Sequence, residues 1–334
     1  MKKYILFYCN FQYETGLLDD LLKVKNLSVH DVKRTEYKNI MLKAIRKIHL
    51  NEKINKIINL PFKYIWYDLN KIKFNNEDEY FLLITPDTFF IYDKSIFNKL
   101  NKRKNIHLIF LIFDSIEAKT PICKKIKENL EAIDWHYAFT FDYEESIKYN
   151  IDYLDEAYYS KPEIADIEGI ENTDAYYLGA LKPGREDLTI KLFQKLYNND
   201  VKSKFDLFRY NGIEKSIEND CVNYMETRKP YREFLPDICK TNCIIEILQE
   251  GQKGQTLRYF EAVCFNKKLL TNNNNIKNLK FYNEKYMKVY NDLNDIDINW
   301  IKKKENIDYG YNNEFSPLNL LERIKAKYSD GSNK

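Results

Sequence analysis

The chain has 334 residues, which is more than one ordinary hydrophobic core organises, so two domains are expected. Its formal net charge of +3 argues against a global basic surface for nucleic acid. The six cysteines include no CxxC pair, so no zinc site is expected and the cysteines are expected to be reduced thiols. No stretch holds the roughly twenty apolar residues of a membrane span, and the sequence therefore predicts a cytoplasmic protein.

Strands and helices alternate through the first half of the chain. The predicted strands are Tyr4–Cys9, Tyr64–Tyr67, Glu79–Thr85, Ile106–Phe113 and Trp135–Phe141. The predicted helices are Thr15–Lys25, a helical segment over Val32–Ile58, Asp93–Asn101 and Ile122–Ala132. This alternation predicts an α/β fold with a doubly wound, mostly parallel sheet. Three carboxylates that follow strands would share its binding edge: Asp87, Asp114 and Asp142.

The helical segment Val32–Ile58 is strongly cationic. Ile40, Ala44, Ile45 and Ile48 lie near one face, while eight lysines and arginines are distributed elsewhere. One interpretation is a surface that contacts anionic lipid. The alternative is a solvated pair of helices packed on the sheet.

The second half repeats the alternation after a polar connection. We predict a first domain over residues 1–160, a linker over 161–173, a second domain over 174–315, and a C-terminal helix and tail over 316–334. The predicted strands are Ala175–Leu178, Lys204–Phe208, Cys243–Leu248, Lys268–Thr271 and Met287–Tyr290. The predicted helices are Glu186–Asn198, Tyr231–Lys240, one that begins near Gln255 or Thr256, and Pro317–Tyr328.

The stretch after Cys243–Leu248 is typical of a phosphate-binding loop. A buried strand leads into a loop with Gly251 and Gly254, and the amides of the following helix would face an anion. Arg258 would supply a cation for phosphate, and Glu261 a carboxylate for sugar hydroxyls. The alternative is a tight loop and a helix with solvated charges, because neither GxGxxG nor a Walker sequence is present.

A second loop strengthens this interpretation. Gly179 to Arg185 follows the first strand of the second domain and contains Lys182. In a doubly wound sheet the two loops converge, so a pyrophosphate would meet Lys182, Arg185 and Arg258. Taken alone, Lys182 and Arg185 are as easily explained as exposed surface cations. The full set of predicted binding residues is Gly179, Lys182, Arg185, Gln252, Gly254, Gln255, Thr256, Leu257, Arg258 and Glu261.

Several strings resemble bacterial glycosyltransferases of capsule and lipopolysaccharide assembly. They are Gln-x-Gly-Gln-Thr-Leu-Arg-x-Phe-Glu-Ala from Gln252 onward, Lys-Lys-Leu-Leu-Thr-Asn-Asn from Lys267, Phe281-Tyr282-Asn283, the segment from Asn59 to Tyr67, Phe139 to Asp142 with Lys148-Tyr149, and Tyr158 to Ser160. The resemblance covers nearly the whole chain. It implies the GT-B architecture, in which two Rossmann-like domains face each other across a cleft and the second holds the sugar nucleotide. It also implies donor-phosphate and ribose positions for Thr256, Arg258 and Glu261.

The resemblance leaves the catalytic base unassigned, because the first domain has no diagnostic base motif. Asp114 is the first candidate and Asp87 the second, although an aspartate after a strand commonly caps the next helix. No DxD sequence is present and GT-B enzymes generally do without a catalytic metal, so neither a metal nor a cofactor is expected; the nucleotide sugar is a substrate.

The expected function is transfer of a sugar from a nucleotide donor to a surface glycan, with a lipid-linked acceptor and an anionic membrane surface as expected partners. Two alternatives remain. One is a nucleotide-sugar epimerase or hydrolase of the same fold, and the other is a non-enzymatic two-domain protein that binds a ligand.

Overall fold

The computed structural model describes residues 1–8, 17–31, 39–51, 54, 60, 63–66, 72–117, 121–154, 156–164, 167–182, 184–209, 216–227, 229–248 and 254–331. The chain divides into two compact units. Unit 1 is Met1–Tyr13 with Leu18–Glu156, and unit 2 is Glu14–Leu17 with Ala157–Lys334.

Unit 1 is built on a parallel sheet of six strands. The strands are β1 Lys2–Tyr8, β2 Leu27–Asp31, β3 Glu79–Ile84, β4 Ile106–Ile112, β5 Tyr137–Thr140 and β6 Asp152–Tyr153. Its helices are α1 Asp19–Leu22, α2 Ile40–His49, α3 Lys94–Leu100, α4 Pro121–Ala132 and α5 Tyr143–Tyr149. The strand order is β2-β1-β3-β4-β5-β6, and every neighbouring pair is parallel. All seven residues of β4 are buried, as expected of a central strand covered on both faces.

Unit 2 carries a second parallel sheet of six strands. The strands are β7 Thr173–Leu181, β8 Ser203–Arg209, β9 Val222–Met225, β10 Thr241–Glu246, β11 Lys268–Thr271 and β12 Met287–Val289. Its helices are α6 Glu186–Tyr197, α7 Leu235–Lys240, α8 Leu257–Cys264, α9 Ile298–Lys302 and α10 Leu318–Gly331. The order β12-β11-β10-β7-β8-β9 reverses between β7 and β10. Ligands of open α/β sheets bind outside the carboxyl ends of the strands at such a reversal.

The predicted fold class is confirmed, since both units are parallel sheets with alternating helices. One predicted strand was wrong: Lys63–Trp66 forms a 3-10 helix where Tyr64–Tyr67 was expected to be extended. Three short strands were missed, namely β2, β6 and β9, and each lies at or next to the edge of its sheet. Of the predicted helical segment Val32–Ile58, α2 is the part within the described residues.

Gly179 lies inside a strand and not in a loop, because β7 continues to Leu181. A Cβ at Gly179 would overlap the hydroxyl and ring of Tyr177, two residues earlier on the same face of the strand. The missing side chain therefore makes room for a buried phenol. Gly184 is the residue of this segment that needs conformational freedom, with φ of +83° in the turn before α6.

Candidate functional site

A buried carboxylate joins three elements at the carboxyl edge of the unit 2 sheet. Glu246 is the last residue of β10 and is 1% exposed. Its Oε1 accepts a hydrogen bond from the hydroxyl of Thr256, and its Oε2 accepts one from the hydroxyl of Thr271 at the end of β11. Burial raises the pKa of Glu246, while the two hydroxyls and the guanidinium groups of Arg258 and Arg185 oppose that rise.

Thr256 is the N-cap of α8, which begins where the sequence predicts a helix, near Gln255 or Thr256. Its Oγ1 accepts a hydrogen bond from the backbone N–H of Arg258 at 3.1 Å. The same hydroxyl donates a hydrogen bond to Glu246. The N–H, the hydroxyl and the carboxylate thus form one continuous chain of hydrogen bonds. The positive end of the α8 dipole is held beside the end of β10 as a result.

Arg185 lies at the same edge of the sheet, between β7 and α6, and β7 is on the other side of the strand-order reversal from β10. It is the N-cap residue of α6, and its N–H donates to the carbonyl of Lys182 at 3.0 Å. Burial raises the pKa of Glu246 and of the phenols of Tyr177 and Tyr290, and the charge of Arg185 opposes that rise at all three groups. The described parts of the two segments, Arg185 and Thr256, thus follow the neighbouring parallel strands β7 and β10.

Arg258 and Glu261 pair with each other inside unit 2. Nη1 of Arg258 lies 2.8 Å from Oε2 of Glu261, and the two side chains are 10% and 0% exposed. The hydroxyl of Tyr231 donates to Oε1 of Glu261 at 2.5 Å, and the hydroxyl of Tyr159 lies 2.9 Å from that of Tyr231. Tyr159 in turn stacks on Phe260 of α8, with ring centroids 5.3 Å apart. The carboxylate that was expected to face a sugar is thus surrounded by protein groups.

Electrostatics at this pair are dominated by burial. Desolvation raises the pKa of Glu261 to about 7, against the lowering effects of Arg258 and of the Tyr231 hydrogen bond. The pKa of Arg258 is raised because the attraction of Glu261 and the surrounding tyrosines outweighs its desolvation. The pair therefore belongs to the interior that supports α8.

The remaining predicted residues of this site have different positions. Gln252 lies outside the described residues. Gly254 and Gln255 are buried just before α8, and the Gly254 carbonyl accepts from Nδ2 of Asn273 at 3.4 Å. Leu257 is the first residue of α8 and is half-buried, as is Lys182 at the start of the turn into α6.

The candidate bases lie at the carboxyl edge of the unit 1 sheet. Asp87 is 8% exposed in a 3-10 helix, Pro86–Phe90, that follows β3, the strand next to β1 at the order reversal of this sheet. Asp114 is half-buried two residues beyond β4, next to Ser115, whose hydroxyl donates to Glu145 at 2.6 Å. Asp142 instead caps α5 by accepting from the N–H of Glu145 at 3.1 Å.

Sequence reasoning missed Glu246, Tyr231 and Tyr159. Glu246 is the single acidic residue of the apolar run Cys243–Leu248, and a carboxylate at the end of such a strand is the one signal that could have identified it. The tyrosines give no comparable signal, because the chain contains 27 of them.

The two sheets and their order reversals define a two-unit α/β protein with Rossmann-like topology. No protein-family model and no curated protein matches the sequence.

Solved structures with a likeness to the chain include three proteins of sugar metabolism. One is a protein from Listeria monocytogenes assigned as a UDP-N-acetylglucosamine 2-epimerase, with 10% identity over 99% of this chain and 97% of that chain and a TM-score of 0.49. Another is the lipopolysaccharide outer core galactosyltransferase WaaB, with 13% identity over 88% of each chain and a TM-score of 0.43. A third is the trehalose-6-phosphate synthase OtsA, with 8% identity over 90% of this chain and 93% of that chain and a TM-score of 0.47.

Breaking the buried pair from either side should destabilise unit 2 more than removing both partners. Arg258→Met and Glu261→Leu each leave an uncompensated buried charge, so each should lower the free energy of unfolding by roughly 3–5 kcal/mol. The double variant should lose less than either single variant, which urea denaturation can measure. A matched control is the exposed pair Asp187 and Lys191 on α6, where the same cycle should give less than about 1 kcal/mol.

The same variants carry a pH signature. Because the pKa of Glu261 is raised in the folded state, its contribution to stability is fully present below the unfolded pKa and is lost as pH rises through about 7. The free energy of unfolding should therefore fall from pH 5 to pH 8 more steeply in the wild type than in the double variant. Parallel pH profiles would contradict the assignment.

Proposed function

We propose that this protein is a glycosyltransferase that moves a sugar from a nucleotide-sugar donor to a surface glycan. The observation that carries the proposal is that the charge of Arg185 and the N-cap of α8 both act on Glu246, at the strand-order reversal of unit 2. A guanidinium and a helix N-terminus at one sheet edge are suited to a diphosphate, because each stabilises negative charge. The resemblance of the motif around Thr256 to bacterial glycosyltransferases is the reason for proposing that this diphosphate carries a sugar.

The donor would bind with its diphosphate at the first turn of α8. In this proposal Lys182 and Arg185 balance the charge that develops on the departing nucleoside diphosphate, and the positive end of the α8 dipole stabilises it further. Backbone and side-chain contacts would come from Gly254, Gln255, Thr256 and Leu257, with Gln252 in the preceding loop.

The roles first expected of Arg258 and Glu261 need a refinement. With Glu261 fully buried, contact with a ribose diol requires a ligand hydroxyl to replace that of Tyr231 on the carboxylate. Until such an exchange, the pair supports α8 from within. The proposal therefore relies on Arg185 and the α8 N-terminus for affinity.

The acceptor would be activated by a carboxylate of unit 1. A glycosyl transfer needs a base that removes the acceptor proton, and Asp114 and Asp87 are the candidates that lie after strands β4 and β3. The acceptor would be a glycan, including a lipid-linked one, at the inner face of the membrane.

Donor binding can be tested by calorimetric titration with UDP, GDP, CMP and dTDP sugars. One class should bind, and Lys182→Ala and Arg185→Ala should each weaken it roughly 10- to 100-fold, because each removes a charge-assisted contact of about 1.5–3 kcal/mol. Lys191→Ala, on the exposed face of the same helix α6, should leave binding unchanged. Absence of binding by all four classes, or equal loss in the control, would refute the site.

The reaction is tested with the identified donor and a membrane extract as the source of acceptor. A transferase releases nucleoside diphosphate, or CMP from a CMP sugar, and labels a glycan only when the extract is present. Asp114→Asn or Asp87→Asn should lower kcat by roughly 10²- to 10⁴-fold without changing the donor Kd. Release of the nucleotide without acceptor would indicate a hydrolase. A changed sugar that is still attached to the nucleotide would indicate an epimerase, and an unchanged donor would indicate a binding protein.

A further inference from the structure

Helix α2 exposes an apolar face. None of its ten residues is buried, although five of them are large apolar side chains. Ile40 is 83% exposed, Met41 65%, Ile48 56% and Ile45 44%. At 100° per residue these four positions span about 140° of the helix surface, so they form one continuous stripe. A soluble helix normally buries such a stripe against its own sheet.

The C-terminal end of α2 is fixed to unit 1, although the rest of the helix is exposed. At its N-terminus Asn39 caps the helix, with Oδ1 accepting from the N–H of Met41 at 2.8 Å. At the other end, Nε1 of the buried Trp66 donates to Nδ1 of His49 at 2.5 Å, and Leu50 packs against the core of unit 1. The helix is thus held as an element of unit 1 with its apolar stripe facing outward.

Cations border this stripe and continue around the helix. Measured from the middle of the stripe, Lys47 lies about 90° around the axis, Lys43 about 130° and Arg46 about 170°. Lys47 therefore lies next to Ile40, and Lys43 and Lys47 are exposed. No acidic residue is present in the sequence from Ile40 to His49. Long basic side chains can extend along an apolar surface and keep their charges at its polar margin. The combination of an apolar stripe and a one-signed cationic face is that of a helix lying in a membrane interface.

We propose that α2 binds the surface of a bilayer containing anionic phospholipids, with Ile40, Met41, Ile45 and Ile48 in the interface and the basic residues near the headgroups. The helix is about 15 Å long, half the thickness of the hydrocarbon core, so it lies on the surface. No helix among the described residues is long and apolar enough to cross a bilayer. This inference rests on the proposed function and deepens it, because membrane binding through α2 would bring unit 1 to a lipid-linked acceptor.

Charge and area favour lipid over a protein partner. Two copies meeting through α2 would set like-charged lysines and arginines against one another, which costs energy at an isologous contact. The stripe covers on the order of 150 Å², against about 800 Å² per partner in a standard protein interface. Weak, reversible membrane binding needs no more than such a stripe with attracting charges.

The test is flotation of the full-length protein with vesicles of 70% phosphatidylcholine and 30% phosphatidylglycerol. The wild type should bind these vesicles, bind pure phosphatidylcholine far less, and be released as salt rises. Ile45→Asp with Ile48→Asp should reduce binding at least tenfold. Lys43→Glu with Lys47→Glu should reduce it by at least 10- to 30-fold, since each cation near an anionic surface contributes about 1 kcal/mol.

Matched controls are available on other helices of unit 1. Ile147 on α5 is 67% exposed, and Lys94 and Lys99 on α3 are exposed. Ile147→Asp, and Lys94→Glu with Lys99→Glu, should leave vesicle binding within about twofold. Circular dichroism and nucleotide titration of each variant separate loss of lipid binding from loss of folding or of the donor site.

Three results would overturn the inference: no binding to anionic vesicles, equal loss in the α5 and α3 controls, or a concentration-dependent dimer in light scattering that Ile45→Asp dissolves. The last would identify a second copy of this chain as the occupant. Vesicle binding needs no nucleotide, so the inference and the donor site can fail separately.

Discussion

Much of the unit 2 site depends on the buried carboxylate of Glu246. One oxygen accepts from the cap of α8 and the other from the end of β11, so a single side chain fixes a helix N-terminus against two strand ends. Its burial raises its pKa, while the two hydroxyls and the guanidinium groups of Arg258 and Arg185 oppose that rise. The helix N-terminus that this carboxylate holds is the positive end of the α8 dipole.

The Arg258–Glu261 pair shows how two residues expected to bind a ligand can instead bind each other. Both side chains lie on α8 three residues apart, and that spacing suggested two contacts to one ligand. The same spacing allows the two to pair with each other, and burial by Tyr159, Tyr231 and Phe260 favours this arrangement. In the structure they support the helix, and direct contact with donor stays a proposal.

The sequence was most informative where hydrophobic runs are long and central. Strands β3, β4 and β10 were predicted within two residues because both faces of each are buried and the pattern needs no partner to be recognised. Strands β2, β6 and β9 are short and lie at or near sheet edges, where pairing with a neighbour decides the conformation. Gly179 was predicted in a loop, but a glycine is required there because a side chain would overlap Tyr177 in the same strand. Glu246 was missed because only the fold brings Thr256 and Thr271 to it.

The central claim is that the N-terminus of α8, held by Glu246, is the phosphate site of unit 2. Hydrogen–deuterium exchange of the peptide covering residues 254–264 measures this most directly, in the presence of a nucleoside diphosphate and separately of the matching nucleoside. We expect slower exchange in the first turn of α8 with the diphosphate, little change with the nucleoside, and no protection by either at the amino ends of β7 and β10. Equal exchange with and without the diphosphate, at concentrations where it binds, would contradict it.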